Sequence, residues 1–272
     1  MNTVLYLVLG GALVYAALLG WLYVSQRSMT YFPGPDMGRP ADAGLGDMAP
    51  VTLTTEDGLA LTAWYKAPVS DGRVLVLFHG NAGTIANREG KARPYLDAGL
   101  GVLLVEYRGY GGNRGTPSEQ GLYADAAAAL KFLEGEGIAP ARWVLYGASI
   151  GAAVAVEAAS VQARRTPVGA LVLEAPFTSL VDVARFHYPY VPVTWLARER
   201  YMSIDKIAHV KAPVLVVHGG DDAIVPARFG HALFAAALPP KEAIWIAGAG
   251  HNDLYDFGAA ARILSILKAW GG

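Results

Sequence analysis

Gly147-Ala148-Ser149-Ile150-Gly151 is a Gly-x-Ser-x-Gly sequence set between an apolar run, Trp143 to Tyr146, and a stretch of helical composition. A serine on a sharp strand-to-helix turn presents its hydroxyl at the edge of a sheet, and small neighbours let strand and helix approach closely. Such a hydroxyl becomes a nucleophile when an imidazole takes its proton, so the chain must also supply a base and a group that orients it. Alone the pattern arises by chance about 0.12 times in a chain this rich in glycine, so its setting carries the reading. The bland counterpart is a glycine-rich turn with a capping serine.

Six histidines are available as base. His231 falls in a helical pattern, His187 and His209 fall in a region that reads as a lid, and His218 ends an apolar run, where it packs against a turn. His79 begins His79-Gly80-Asn81-Ala82-Gly83 after the run Val74 to Phe78, where it organises the turn rather than moves protons. That turn aims the backbone N–H of Asn81 at a carbonyl held by Ser149, with the N–H of Ile150 as second donor. Each such donor lowers the barrier to a tetrahedral intermediate by about 3 kcal/mol. His251, in Gly248-Ala249-Gly250-His251-Asn252-Asp253, follows the run Ala243 to Ile246 and precedes the last helical stretch. This is the place of the base when the triad comes in the order Ser, Asp, His. Asp221 and Asp222 both follow the run Val214 to Val217 and could accept the imidazole N–H; spacing does not choose between them. Glu174, Asp253 and Asp256 fit the order or the local context less well.

These residues need a scaffold that brings strand ends together. Val74 to Phe78, Val102 to Val105, Trp143 to Tyr146, Ala170 to Leu173, Val214 to Val217 and Ala243 to Ile246 are short, continuously apolar runs. Strands buried on both faces of a parallel sheet look like this. Val51 to Thr55 and Leu59 to Tyr65, around Glu56-Asp57-Gly58, predict an antiparallel hairpin ahead of them. Helices are expected over about 85–98, from a Thr116 cap with Pro117 and Glu119 to about 134, and over 150–163, 227–238 and 254–270. The sum is an α/β domain: a mainly parallel sheet of about eight strands with helices on both faces.

Composition narrows the function. Lysine and arginine total 22 against 23 aspartates and glutamates, which leaves no basic stripe for a phosphate backbone, so nucleic acid is not expected as a partner. With no cysteine, disulfides, thiolate metal sites and a cysteine nucleophile are excluded. No metal or other cofactor is called for by a serine triad.

Val4 to Val24 carries no charge, and 21 residues at ~1.5 Å each reach ~32 Å, enough to cross a bilayer core. Tyr6, Trp21 and Tyr23 sit near its ends, and Arg27 follows as a polar stop. A cleaved signal peptide would want a basic start and a small-residue cleavage site, and neither is present. Arg27 and Arg39 on the following side lean towards a cytoplasmic catalytic domain. Ala12, Ala16 and Gly20 form a small-residue stripe through which the anchor could associate with a second copy. The expected organisation is an anchor at 1–27, a Pro- and Gly-rich linker at 28–50, and a catalytic domain at 51–272 with a lid at 177–211. Within the lid, Arg185, His187, Tyr188 and Trp195 are expected to line a pocket for a small or lipid-like acyl ester. A lid this short favours short to medium acyl chains, unless the bilayer presents a longer one.

Phe78-His79-Gly80-Asn81-Ala82-Gly83, Glu106-Tyr107-Arg108-Gly109-Tyr110-Gly111, Gly147 to Gly151, Glu174-Ala175-Pro176-Phe177-Thr178-Ser179, the Asp222 loop and Gly250-His251-Asn252-Asp253 together resemble one subfamily of α/β-hydrolases. It is the membrane-anchored group that includes eukaryotic α/β-hydrolase-domain proteins acting on protein palmitoyl thioesters, and many bacterial esterases. Arg27 to Pro33 is similar to the segment after the anchor there. The resemblance implies the α/β-hydrolase fold, Ser149 as nucleophile, His251 as base, and Asn81 and Ile150 N–H groups as the oxyanion hole. It also favours Asp222 over Asp221 as the acid. Ester or thioester cleavage through an acyl-enzyme is the function implied. A catalytically silent membrane scaffold, a peptidase and a lactonase are the competing readings.

Overall fold

The structure, a computed structural model, describes residues 2–271; Met1 and Gly272, the outer limits of the expected anchor and catalytic domain, lie outside it. Eight strands form one sheet: β1 (Ala49–Thr54), β2 (Ala60–Lys66), β3 (Val74–Phe78), β4 (Gly101–Val105), β5 (Trp143–Ala148), β6 (Ala170–Glu174), β7 (Val214–Gly219) and β8 (Lys241–Ile246). Their spatial order is β8-β7-β6-β5-β3-β4-β2-β1. β1 pairs antiparallel with β2, and β2 with β4; every other pairing is parallel.

The apolar runs read from the sequence are the strands for a physical reason. Every residue of β3, β4, β5, β6 and β7 is buried, which favours continuous apolar runs; the buried Glu174 and His218 stand at or near the ends of β6 and β7. Alternate side chains serve opposite layers: Val74, Val76 and Phe78 join one core, Leu75 and Leu77 the other. The first core is closed by helices α3 (Glu119–Gly135), α4 (Ile150–Gln162) and α7 (Ala227–Ala236). The second is closed by α2 (Glu89–Asp97) and α8 (Ala259–Ala269). Between β6 and β7 lie α5 (Leu180–His187) and α6 (Val193–Leu196).

Several boundaries differ from expectation. α3 starts at Glu119 with Ser118 as its cap, accepting from the Gly121 N–H at 3.1 Å. Thr116 and Pro117 remain in the preceding loop, where Pro117 lies so close over Gly109 that an added Cβ there would meet its ring at 2.7 Å. The helix expected over 85–98 is split into a 3-10 turn, Ile85–Arg88, and α2, where Arg88 leaves helical geometry at φ −114° and ψ 15°; the Ile85 N–H at the start of the turn donates to the Glu106 carboxylate at 2.8 Å. α8 starts at Ala259 rather than 254, after Gly258 at φ 78° in the left-handed region.

The N-terminal helix α1 runs from Asn2 to Thr30 without interruption and is exposed over most of its apolar length; its length and composition suffice to cross a membrane. Ala12, Ala16 and Gly20 are exposed on it. The segment read as a linker, 28–50, is instead folded onto the domain. Tyr31, Met37, Leu45 and Met48 are buried, and Phe32–Pro33 pairs in parallel with Ala82–Gly83. Burying such a side chain contributes roughly 1.5–3 kcal/mol, enough to order a stretch that lacks any periodicity of its own.

One buried cation organises the loop after β4. Arg108, 7% exposed, donates from Nε to Asp125 at 2.8 Å and from its two terminal nitrogens to Asp57 at 2.6 and 3.0 Å. Its backbone N–H also donates to Asp125, which is fully buried. Burial pushes the Asp125 carboxyl up to about 6, against the hydrogen bonds and charge of Arg108 that hold it down. Arg108→Ala strands that carboxylate, so urea denaturation of the full chain should show a loss of about 3–5 kcal/mol.

Candidate active site

Ser149 sits between β5 and α4 at φ 54° and ψ −117°, a conformation that costs a non-glycine residue on the order of 1–3 kcal/mol. The surroundings enforce it. A Cβ on Gly147 would run into the Gly151 carbonyl and Ala152, and one on Gly151 would run into the carbonyls of Phe78 and His79. Glycine at both positions lets α4 press against β5 and the end of β3 at once. The Ser149 N–H donates to the Glu174 carbonyl at 2.9 Å, which ties the turn to β6.

His251 Nδ1 lies 2.7 Å from Asp222 Oδ2, its side chain 10% exposed and that of Asp222 fully buried. The other carboxylate oxygen accepts the N–H groups of Ile224 and Val225 at 2.9 and 2.7 Å. His218 Nε2, 2.8 Å from the Val225 carbonyl, is also 3.3 Å from Asp222 Oδ2. Burial works against the Asp222 charge, yet the hydrogen bonds from His218 and His251 prevail and hold its carboxyl well below the usual carboxylate range. Asp221, its neighbour, is exposed and uses its backbone N–H on the Ala249 carbonyl. Glu174 is engaged by Lys91 at 2.5 and 2.6 Å and by the Tyr146 hydroxyl. Asp253 accepts the Gly250 N–H at 2.7 Å and so braces the His251 loop.

The His79 turn is braced from beneath. His79 is buried with Nε2 2.9 Å from Glu106 and Nδ1 2.7 Å from the Gly80 carbonyl. The Asn81 carbonyl accepts from Phe32 N–H at 2.9 Å and the Tyr110 hydroxyl at 2.7 Å, while its side chain donates to the Thr30 carbonyl at 3.1 Å. The Asn81 and Ile150 N–H groups donate to no acceptor among the described residues.

Ser149, His251, Asn81 and Ile150 line one cavity of about 570 Å³. Among the described residues no hydrogen bond joins Ser149 to His251, whose ring bonds Asp222 instead. Of the four lid residues expected in the pocket, His187 and Tyr188 line it; Arg185 and Trp195 do not. On α5 the inward face is Leu180, Val183, Ala184 and His187, which turns Arg185 to solvent. On α6, Val193 and Leu196 face in, leaving Trp195 87% exposed. His187 does not face a leaving group freely, since its Nε2 lies 2.9 Å from the Ile224 carbonyl.

Two contributions were missed from sequence. His218 was read as turn packing, and only its closeness to Asp222 in space reveals more. Leu22, Tyr23, Gln26, Met29 and Thr30 of α1 line the cavity, a contact with the site that neither the anchor reading nor the small-residue stripe includes. Their helical spacing was the available signal. Among the described residues no three or more His, Asp or Glu side chains converge as a metal site would.

A strained serine elbow on a mainly parallel eight-stranded sheet defines an α/β-hydrolase fold. The chain belongs to the α/β-hydrolase superfamily. The family model described as serine aminopeptidase, S33, matches residues 70–200. An uncharacterized protein of Mycobacterium tuberculosis is 44% identical over 245 residues, 89% of this chain and 86% of that one. The lysophosphatidylserine lipase ABHD12 of Danio rerio is 30% identical over 76% of this chain, which spans 63% of that lipase. Among solved structures, an esterase of Pyrococcus furiosus superposes with a TM-score of 0.71 over 89% of this chain and 98% of its own, at 20% identity.

The depressed Asp222 carboxyl has a stability consequence of definite sign. A carboxyl lower in the folded than in the unfolded chain stabilises the fold above the ordinary value, near about 4, and that contribution is lost as pH falls towards the folded value. The Tm difference between wild type and Asp222→Asn should therefore be widest above pH about 4 and narrow steadily below it. Thermal melts at a series of pH values check this, and a gap that widens on acidification contradicts it.

Proposed function

We propose that this chain is a membrane-anchored serine hydrolase that cleaves carboxylic esters or thioesters through an acyl-enzyme. The observation that carries the reading is the Asp222–His251 hydrogen bond at the cavity that also holds Ser149 and two undonated N–H groups. With Asp222 accepting from Nδ1–H, the His251 tautomer leaves Nε2 free to take the Ser149 proton. Ser149 Oγ then attacks the acyl carbonyl, and the Asn81 and Ile150 N–H groups receive the negative oxygen. His251 returns the proton to the departing alcohol or thiol. Water, deprotonated by the same imidazole, releases the acid and restores the serine.

The walls support an acyl substrate. Apart from the triad and its turns, the cavity is lined mainly by apolar side chains such as Leu180, Val183, Val191 and Leu196. The likeness to a lysophosphatidylserine lipase points the same way. The aminopeptidase description of the matching family model raises a second reading, in which a free carboxylate would hold a substrate amino group. Both acidic residues lining the cavity are already paired, Glu174 with Lys91 and Glu199 with Arg27, which favours the ester. We place α1 in the membrane as an uncleaved anchor, with the catalytic domain on the cytoplasmic side by its following arginines.

Ser149→Ala should abolish labelling by a fluorophosphonate probe and nearly all hydrolysis of p-nitrophenyl esters, with the fold intact. Undiminished turnover in that variant refutes the triad. Asp222→Asn should lose about 10⁴ in kcat, and Asp221→Asn far less; the reverse ranking reassigns the acid.

A further inference from the structure

We infer that the C-terminal turns of α1, from Leu22 to Thr30, form a wall of the acyl site and that the site's apolar mouth opens into the bilayer, so that a membrane-resident acyl ester enters sideways along the anchor; this rests on the hydrolase reading above. Leu22, Tyr23, Gln26, Met29 and Thr30 stand at positions i, i+1, i+4, i+7 and i+8. That spacing is one face of a helix, and all five line the cavity of Ser149 and His251. A tether alone would have no reason to point a consistent face into the cavity.

The lid is fastened to the same helix. Gln26 donates to the Leu196 carbonyl at 2.9 Å and accepts the Arg198 N–H at 2.8 Å. Arg27 pairs with the buried Glu199 at 2.7 Å, and Tyr31 and Tyr201 share a hydroxyl hydrogen bond at 2.7 Å. The Thr30 carbonyl, which accepts from the Asn81 side chain, joins this wall to the turn proposed to hold the oxyanion. Anchor, lid and oxyanion turn are therefore one bonded unit.

Depth follows from the contact nearest the N-terminus. The Tyr15 hydroxyl donates to the Tyr190 carbonyl at 2.6 Å. Tyr15 precedes Val24, the end of the apolar run, by nine residues or roughly 13 Å of helix. If Val4 to Val24 spans the membrane, the lid tip beside Tyr15 lies below the headgroups. The lid surface there has the matching chemistry: Tyr190 is 88% and Trp195 87% exposed, a poor surface for water and a good one for the lipid interface. An acyl chain that follows the Leu22 and Tyr23 face of α1 into the cavity never has to cross water. A chain drawn from the leaflet in this way can be longer than the lid alone would shelter.

The test uses the full-length chain in lipid nanodiscs. Leu22→Trp and Met29→Trp fill the wall, and Val24→Trp, on the exposed far side of α1, is the control. The ratio of kcat/KM for p-nitrophenyl palmitate over acetate should fall at least tenfold in both wall variants and hold in the control. A second readout needs no turnover: binding of cis-parinaric acid, a fluorescent fatty acid, to Ser149→Ala protein, with the empty-disc signal subtracted. Its Kd should rise at least fivefold when either wall tryptophan is added. If neither ratio nor Kd moves, or if Val24→Trp moves them equally, the wall is refuted. Wild-type protein that turns over acetate but not palmitate in nanodiscs refutes entry from the leaflet. Parinarate binding that discriminates the variants in a chain without esterase activity upholds the wall and refutes the hydrolase reading instead.

Discussion

The close approach of α4 to β3 and β5 is the constraint on which the rest depends. At Gly151 the helix backbone lies against the carbonyls of Phe78 and His79, leaving no room for even one carbon more. The elbow is thereby docked directly on the turn that carries Asn81. Two N–H groups from separate elements, Asn81 after β3 and Ile150 at the start of α4, are thus held in a fixed relation. The strain at Ser149 is tolerated because the Glu174 carbonyl and both flanking glycines hold it on all sides.

Around that contact, buried polar groups are arranged so that charge is met by hydrogen bonds. Asp222 receives two backbone N–H groups and two imidazoles, Glu106 receives His79 and the Ile85 N–H, and Arg108 spans Asp57 and Asp125. Each set braces one loop at the same edge of the sheet. The low dielectric that makes an unpaired carboxylate costly here also makes these sets rigid. Glycine serves the Asp222 loop as it serves the elbow. A Cβ on Gly219 would strike the Ala249 carbonyl, so β7 and the His251 loop close up only without one.

Residues 190–199 and α1 are tied together by polar contacts. Gln26, Arg27 and Tyr15 supply much of the polar bonding that holds 190–199 in place. Glu199 passes the connection on, since its second oxygen accepts the Glu119 N–H at the start of α3 at 2.6 Å. Arg27, read from sequence as a polar stop after the span, is committed to Glu199 in the folded chain.

The strands, the order of elements, the serine elbow and the long apolar helix were legible in the sequence, because each is written in residues adjacent along the chain: continuous apolar runs, a five-residue turn motif, a charge-free stretch. Choices between near neighbours were not. Asp221 and Asp222 differ by one position, and only the packing of the β7 and β8 loops makes one exposed and the other buried against His251. Arg185 and Trp195 looked equivalent to His187 and Tyr188 until α5 and α6 were laid on the domain and their outer faces became known. Residues 28–50 carry no periodicity, yet Tyr31, Met37, Leu45 and Met48 each find a groove made by distant elements. The α1 wall is the same case. A helix declares its faces by spacing, but which face meets a cavity depends on what folds against it, and that is decided only by contacts between residues far apart in the chain.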